Sequence, residues 1–268
     1  MKITAITRGQ KNKERYNIFI DGCYSFSVDE EVLARFVLLK DKELTEAEIE
    51  QISAADKTRK ALNKAIYFLS NRIRSEKEIR QYLRKQSFTD DMIQSVLVKL
   101  TEMAYIDDKE FTIAYVRTQM RTTLKGPRMV ERELIEKGIT RELINQGLAL
   151  YSVDKQYENA EKQALKVMRR NKNKAKKMLQ MKVTTDLIQK GFPTDLAKAV
   201  VEKLNENVSH DDEEEILAQQ IEKLLRKNQR YEPKKQKQKI ITSLMQKGFS
   251  YDTIESYLSK NEITFKQE

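Results

Sequence analysis

The chain has 268 residues, 39% of them apolar and 34% charged, with only seven glycines and three prolines. So few breakers among so many Lys, Glu, Leu and Gln residues describe a mostly helical protein. Lys and Arg outnumber Asp and Glu by 51 to 41, a formal charge of +10, which favours polyanionic partners, nucleic acid first, through the long-range field. No run approaches the roughly 18 apolar residues of a membrane span. One cysteine excludes an internal disulfide framework, and MKITAITRGQKNKE lacks the apolar core of a signal peptide. A cytoplasmic, monomeric protein with no membrane partner is expected.

Residues 1–55 read as a strand-rich region. KITAI and YNIFI are strand-like, and Asp21-Gly22 is a hairpin turn before CYSFSV. Asp29 is placed to cap a short helix, and Thr45 another that begins TEAEIEQI.

From there the chain repeats. LRKQSF (83–88), LIEKGI (134–139), LIQKGF (187–192) and LMQKGF (244–249) are copies of one segment, aligned on Phe88, Ile139, Phe192 and Phe249. Nine residues earlier stand Ile79, Val130, Val183 and Ile240, and five earlier Leu83, Leu134, Leu187 and Leu244. Five later come Ile93, Ile144, Ala197 and Ile254, and nine later Leu97, Leu148, Val201 and Leu258. The spacing of four places one apolar stripe on a helix before the aligned residue and another after it. Gly138, Gly191 and Gly248 supply a left-handed residue that ends the first of these helices. Thr140 and Ser250 are plausible N-caps of the second, and Pro193 suits its first turn. A further apolar helix precedes each pair, marked by Leu62, Ala65 and Leu69 in the first copy and by Phe111, Ala114 and Tyr115 in the second. Ala160, Ala164 and Val167 mark it in the third copy, and Ile216, Ile221 and Leu224 in the fourth. The expected fold is mainly all-α. Four tandem three-helix repeats, 56–105, 106–152, 153–208 and 209–268, form an elongated curved stack with a small β-containing N-terminal region. VSHDDEEE at 208–215 is the expected hinge between the last two.

Catalytic chemistry finds little to stand on. His210 is the one histidine, so triads and Cys/His metal sites are excluded, and Cys23 has no histidine near in sequence to activate it. Phosphate-cradling glycine motifs are missing. The acidic pairs Asp90-Asp91 and Asp107-Asp108 and the run at 211–215 each open a predicted helix, where carboxylates act as caps. No enzyme activity and no cofactor or metal are expected.

Charge placement is what recurs. The segment between the first and second helices of each repeat is basic. Arg72 and Arg74 lie there in the first copy, beside Lys77, Arg80, Arg84 and Lys85, and Arg117, Arg121, Lys125 and Arg128 in the second. The third has Arg169, Arg170, Lys172, Lys174, Lys176 and Lys177, flanked by Lys166 and Lys182, with no acidic residue between 162 and 185. The fourth has Arg230, Lys234, Lys235 and Lys237, flanked by Arg226, Lys227 and Lys239. Equivalent segments of tandem repeats fall on equivalent edges, so these clusters are expected to form one basic ribbon that contacts a polyanion. Taken singly, any one of them also fits a solvated face. Tyr231 among these cations could stack on a base, although packing or simple exposure suits one tyrosine as well.

Three segments in order, RIRSEKEI (72–79), AYIDDKEFTIAYVR (104–117) and GPRMVERELIEKGI (126–139), resemble the RecX family of bacterial regulatory proteins. The match looks like its long form, with an N-terminal extension and additional C-terminal helices. Much of this signature is fold grammar. Ser75 with Glu78 and Asp107 with Glu110 fit capping boxes, and Gly126-Pro127 opens a helix. Two positions depart from the pattern: Ala104 stands where glycine is common before the Tyr-Ile-Asp-Asp motif, and Gln86-Ser87 replaces Lys-Gly. The resemblance implies a non-enzymatic regulator that binds the recombinase RecA and lies in the groove of the RecA–DNA filament. There it limits ATPase, strand-exchange and coprotease activities, within DNA repair and the SOS response. The alternative is an independent, non-sequence-specific binder of single- or double-stranded DNA.

Overall fold

The computed structural model describes residues 1–10, 12–206, 210–261 and 263, with the side chains of 206 and 210–212 left aside. The His210 side chain and the start of the expected hinge at 208–215 lie outside the described residues.

Three antiparallel strands, β1 (Ile3–Arg8), β2 (Arg15–Ile20) and β3 (Cys23–Asp29), pair in the order β1-β2-β3. Asp21 and Gly22 both take positive φ, 48° and 87°, the geometry of a two-residue turn that matches strand twist. Ile3, Ile18 and Val28 point into a small core completed by Val32 of α1 (Glu30–Arg35), by Leu38, and by Ile52 of α2 (Glu46–Leu69). Asp29 accepts from the Glu31 amide to start α1, and Thr45 and Glu48 form a capping box for α2. Cys23 is exposed.

Buried charge fixes the sheet to α2. Both Asp56 carboxylate oxygens accept from the Arg15 guanidinium, at 3.1 and 2.9 Å, and Oδ1 also takes the Asp29 amide at 2.9 Å. Burial pushes the Asp56 carboxyl up, but the bonds from Arg15, Lys60 and the Asp29 amide outweigh it and hold the group below its ordinary value.

Among the described residues there are thirteen helices, none long and apolar enough to cross a membrane. After α2 come α3 (Glu76–Lys85), α4 (Asp90–Glu102), α5 (Asp108–Thr122), α6 (Pro127–Glu136) and α7 (Arg141–Leu148). Then follow α8 (Val153–Arg170), α9 (Lys176–Gln189), α10 (Thr194–Glu206), α11 (His210–Asn228), α12 (Pro233–Met245) and α13 (Tyr251–Lys260). The helices α2–α4, α8–α10 and α11–α13 each enclose a core of their own. Every aligned repeat position is buried except Phe88 and Leu148, which are half-buried. The four leucines at the common position, Leu83, Leu134, Leu187 and Leu244, are all fully buried.

Local starts follow the sequence closely. Ser75 and Glu78 make a complete capping box, Asp107 accepts from the Lys109 and Glu110 amides, and Ser250 caps α13. Pro193 stands just before α10, its carbonyl taking the Ala197 amide. At the two departures from the family pattern the backbone keeps the left-handed geometry without glycine: Ser87 has φ 62° and Ala104 φ 57°.

The chain forms two compact units, Met1–Thr112 with Ile135–Leu143, and Ile113–Leu134 with Ile144–Glu268. Within each, the Lys-Gly turn has a second task beyond ending a helix. In the first unit, Ser75 at the start of α3 donates its hydroxyl to the Lys137 carbonyl at 2.8 Å. In the second unit the Gly126 amide, just before α6, donates to the Lys190 carbonyl at 2.8 Å, and the Ala175 amide, just before α9, to the Lys247 carbonyl at 3.0 Å. Each of the first three repeats thus sets the start of its second helix on the next repeat's Lys-Gly turn. Gly138, Gly191 and Gly248 have φ of 83°, 90° and 95°, and a Cβ on them would strike Lys77, Met129 and Met178 of the incoming helices. Ser87 stands at the corresponding turn of the first repeat, which has no three-helix repeat before it in the chain.

Candidate polyanion interface

The predicted cations differ in how free they are. In the first repeat Arg72 pairs with Glu78 at 2.8 Å. Arg74 lies over the Phe68 ring at 4.1 Å, and Phe68 stacks on Tyr82, with 4.1 Å between centroids. Burial first, and the Arg72 charge second, hold the Arg74 pKa below its ordinary value, and its Nε is buried without a hydrogen-bond partner among the described residues. In the second repeat Lys125 pairs with Glu133, whose other oxygen accepts from the Tyr115 hydroxyl. Arg117 and Arg121 are exposed on α5 without an ion pair among the described residues, and Arg128 is exposed at the start of α6.

The third and fourth repeats hold the densest charge. Arg169 and Arg170 end α8, Lys172 is exposed in the loop that follows, and Lys174 is half-buried there. Lys176 is half-buried and Lys177 exposed in the first turn of α9, and the Lys176 amide donates to the Glu213 carboxylate at 3.0 Å. In the fourth repeat Lys234 is exposed, whereas Lys237 pairs with Glu255 at 3.0 Å. Arg230 and Lys235 belong to a different arrangement: with Lys239 they surround Tyr231, at 5.3, 5.8 and 4.5 Å from its ring. The ring's negative face gathers these three cations. The Arg230 hydrogen bond, then the Arg230 and Lys239 charges, hold the phenol below its ordinary pKa.

The structure brings part of this charge into two open grooves between the first and second helices of a repeat. In the third repeat a groove of about 530 Å³ runs between the end of α8 and α9, and in the fourth a groove of about 530 Å³ runs between the end of α11 and α12. They are copies, related by the 57 positions separating Leu187 from Leu244. Val167 and Leu224 lie at their floors, with Arg170 and Lys227 at the rim. Asn171 and Asn228 donate to the Val167 and Leu224 carbonyls, both at 2.8 Å. Thr185 and Thr242 donate to the Met181 and Gln238 carbonyls, again both at 2.8 Å. Lys182 corresponds to Lys239, and Gln189 to Gln246. One difference carries charge: Asp186 in the third repeat, held by Gln163 Nε2 at 2.6 Å, is Ser243 in the fourth.

Reading cations alone misses Asn171, Asn228, Thr185, Thr242, Gln189 and Gln246. Their signal is the ungapped alignment of KVMRRN…MKVTTDLIQKGF with KLLRKN…QKIITSLMQKGF, which matches polar as well as apolar positions.

A strand-rich head followed by three-helix bundles joined through a shared glycine turn defines a tandem helical-repeat protein with basic segments between its helices. The comparisons make the class specific. Residues 1–45 match the regulatory protein RecX N-terminal domain, 61–100 the first RecX three-helix domain and 107–148 the second. The third three-helix domain matches twice, at 154–201 and 211–258. The regulatory protein RecX of Listeria welshimeri is 62% identical over 268 residues, all of both chains. That of Bacillus subtilis strain 168 is 37% identical over 97% of this chain and 98% of its own. A solved structure, the crystal structure of regulatory protein RecX, superposes with a TM-score of 0.68 at 36% identity, over 75% of this chain and 98% of the other. The chain belongs to the RecX family of regulatory proteins.

Proposed function

We propose that this chain is a non-catalytic regulator that binds the RecA recombinase or the RecA–DNA filament, in the filament groove, and restrains its ATPase, strand-exchange and coprotease activities in the cytoplasm. Family membership over the full length, under a regulatory name, supports the class. RecA as the partner is what the family resemblance implies, and the cation pattern supports a polyanionic surface on that partner. Arg117 and Arg121, Arg170 and Lys174, and Lys227 and Arg230 recur on the second half of the first helix or in the segment just after it in three successive repeats, none in an ion pair among the described residues. A linear polymer with regularly spaced negative charge is the partner such recurrence suits, and several repeats on one filament gain avidity by linkage.

The test is the single-stranded-DNA-dependent ATPase of RecA, with and without this protein, across a salt series. Inhibition below one chain per RecA protomer, persisting at salt where binding to naked DNA is lost, is the expected result. No inhibition, together with steeply salt-dependent DNA binding, overturns the reading in favour of a protein that acts on nucleic acid directly. Changing Arg169, Arg170, Lys172 and Lys174 to Glu should weaken inhibition while circular dichroism is unchanged.

A further inference from the structure

We propose that the paired grooves of the third and fourth repeats are equivalent seats for the phosphodiester backbone of one single nucleic-acid strand, which these repeats bind bivalently without RecA. The inference rests on the polyanion reading above but not on RecA as partner.

The grooves are built rather than merely charged. Each has an asparagine and a threonine locked by the same hydrogen bond to its own helix at the same length, so the walls are preorganised alike. Three cations line the third-repeat groove, Arg170, Lys174 and Lys182, against the one carboxylate of Asp186, a net charge of +2 (three minus one). The fourth-repeat groove has Lys227, Arg230 and Lys239 and no carboxylate in its lining, a net +3. Tyr231 draws Arg230, Lys235 and Lys239 to its ring, three like charges with no acid among them. The ring holds these charges together at the groove and leaves them open to an anion.

The chemistry of the occupant follows from the repetition. Two corresponding receptors fixed in one chain, each with three cations in its lining, fit a ligand that presents the same charge again and again along its length. A phosphodiester backbone does so with every nucleotide, whereas an acidic protein surface has no such regularity. At about 530 Å³ and open to solvent, each groove has room for a sugar–phosphate segment rather than a lone ion. Tyr231 has a role other than the base stacking considered from sequence: its ring is occupied by cations, so it positions them for phosphate. Exchange of Asp186 for Ser243 makes the fourth-repeat groove the tighter seat.

The experiment uses the full chain, no RecA, and fluorescein-labelled oligothymidylates of about 8 and about 25 nucleotides, read by fluorescence anisotropy over a salt series. One variant carries Arg170→Glu, Lys174→Glu and Lys182→Glu, a second Lys227→Glu, Arg230→Glu and Lys239→Glu. A control of equal charge change carries Lys13→Glu, Lys40→Glu and Lys57→Glu, all exposed and outside both grooves. Each groove variant should weaken binding of the longer strand at least tenfold and reduce the salt slope by about 2, at about 0.7 for each phosphate no longer neutralised, more for the fourth-repeat set. The control slope should stay within about 0.5 of the wild type. The affinity gained from the longer strand should vanish in either groove variant. The corresponding Gln variants keep the test open if a Glu set misfolds, as circular dichroism will show. Equal losses in groove and control variants overturn the proposal, as does a length gain that survives in either groove variant. Competition by poly-glutamate as effective per charge as by oligothymidylate overturns it too, in favour of an acidic protein partner. RecA ATPase inhibition by the same variants is read separately, so the filament reading and the groove proposal can fail independently.

Discussion

Gly191→Ala tests how the repeats are joined. The residue has φ +90°, where an L side chain costs about 1–2 kcal/mol. An added Cβ would also lie 2.4 Å from the Met129 backbone nitrogen, 2.9 Å from its Cβ and 3.1 Å from its Cα. These are mostly backbone atoms that no rotamer change can move. The helix they start cannot withdraw without breaking two hydrogen bonds, Gly126 to the Lys190 carbonyl and Arg128 to the Gly191 carbonyl. Overpacking of this kind adds about 1–3 kcal/mol, for a total of about 2–5 kcal/mol. Gly22→Ala is the control, since Gly22 has φ +87° but nothing within 4 Å of its virtual Cβ. Both changes share the backbone strain and the loss of unfolded-chain entropy, so their difference isolates the junction. Urea unfolding followed by circular dichroism measures it. A Gly191→Ala cost within about 0.5 kcal/mol of the Gly22→Ala cost would refute the claim that the turn is a docking surface.

Ser87→Gly and Ala104→Gly should each stabilise by about 0.5–1 kcal/mol, because both residues hold positive φ; a fall in urea midpoint would contradict this. Leu187→Ala should cost about 2–5 kcal/mol as a fully buried leucine, and a cost below about 0.5 kcal/mol would remove it from the core. Asp56 supplies a pH dependence. Its folded-state pKa is depressed, so the stability it confers is complete above its unfolded value of 3.8 and is lost as pH falls through the lower folded value. Asp56→Asn should therefore cost about 3 kcal/mol near neutral pH, where Arg15 loses its partner, and flatten the acid limb of a stability–pH curve. An acid limb as steep as the wild type's would exclude Asp56 as its source.

The repeat was legible because it is written in apolar residues: burial of Leu83, Leu134, Leu187 and Leu244 follows from a spacing that survives in four copies. Caps at Asp29, Thr45, Ser75 and Ser250 were legible for a related reason, since a side chain bonding its own helix start acts within a few residues. The second task of the glycines was not. Gly138, Gly191 and Gly248 look like helix terminators, and only the arrival of Lys77, Met129 and Met178 shows that they are also contact surfaces. The site was legible as charge and opaque as geometry. Arg72, Lys125 and Lys237 read the same as Arg121 and Lys227 until ion pairs with Glu78, Glu133 and Glu255 separate them. Those partners lie 6 to 18 residues away, beyond the reach of local periodicity.

The junctions also bear on how the chain avoids misassembly. The turns at 189–192 and 246–249 have the same sequence, QKGF, so by sequence either could receive either incoming helix. Such internal duplicates are a hazard during folding, when a correct helix can find the wrong copy. The incoming residues differ where the turns do not. A Cβ on Gly126 would come within 2.3 Å of the Gly191 carbonyl carbon, so this approach admits glycine alone, whereas α9 begins after Ala175. Gly126 meets its turn as bare backbone and Ala175 meets the same turn sequence with a methyl group, so the two junctions differ on the side of the plug and not of the socket.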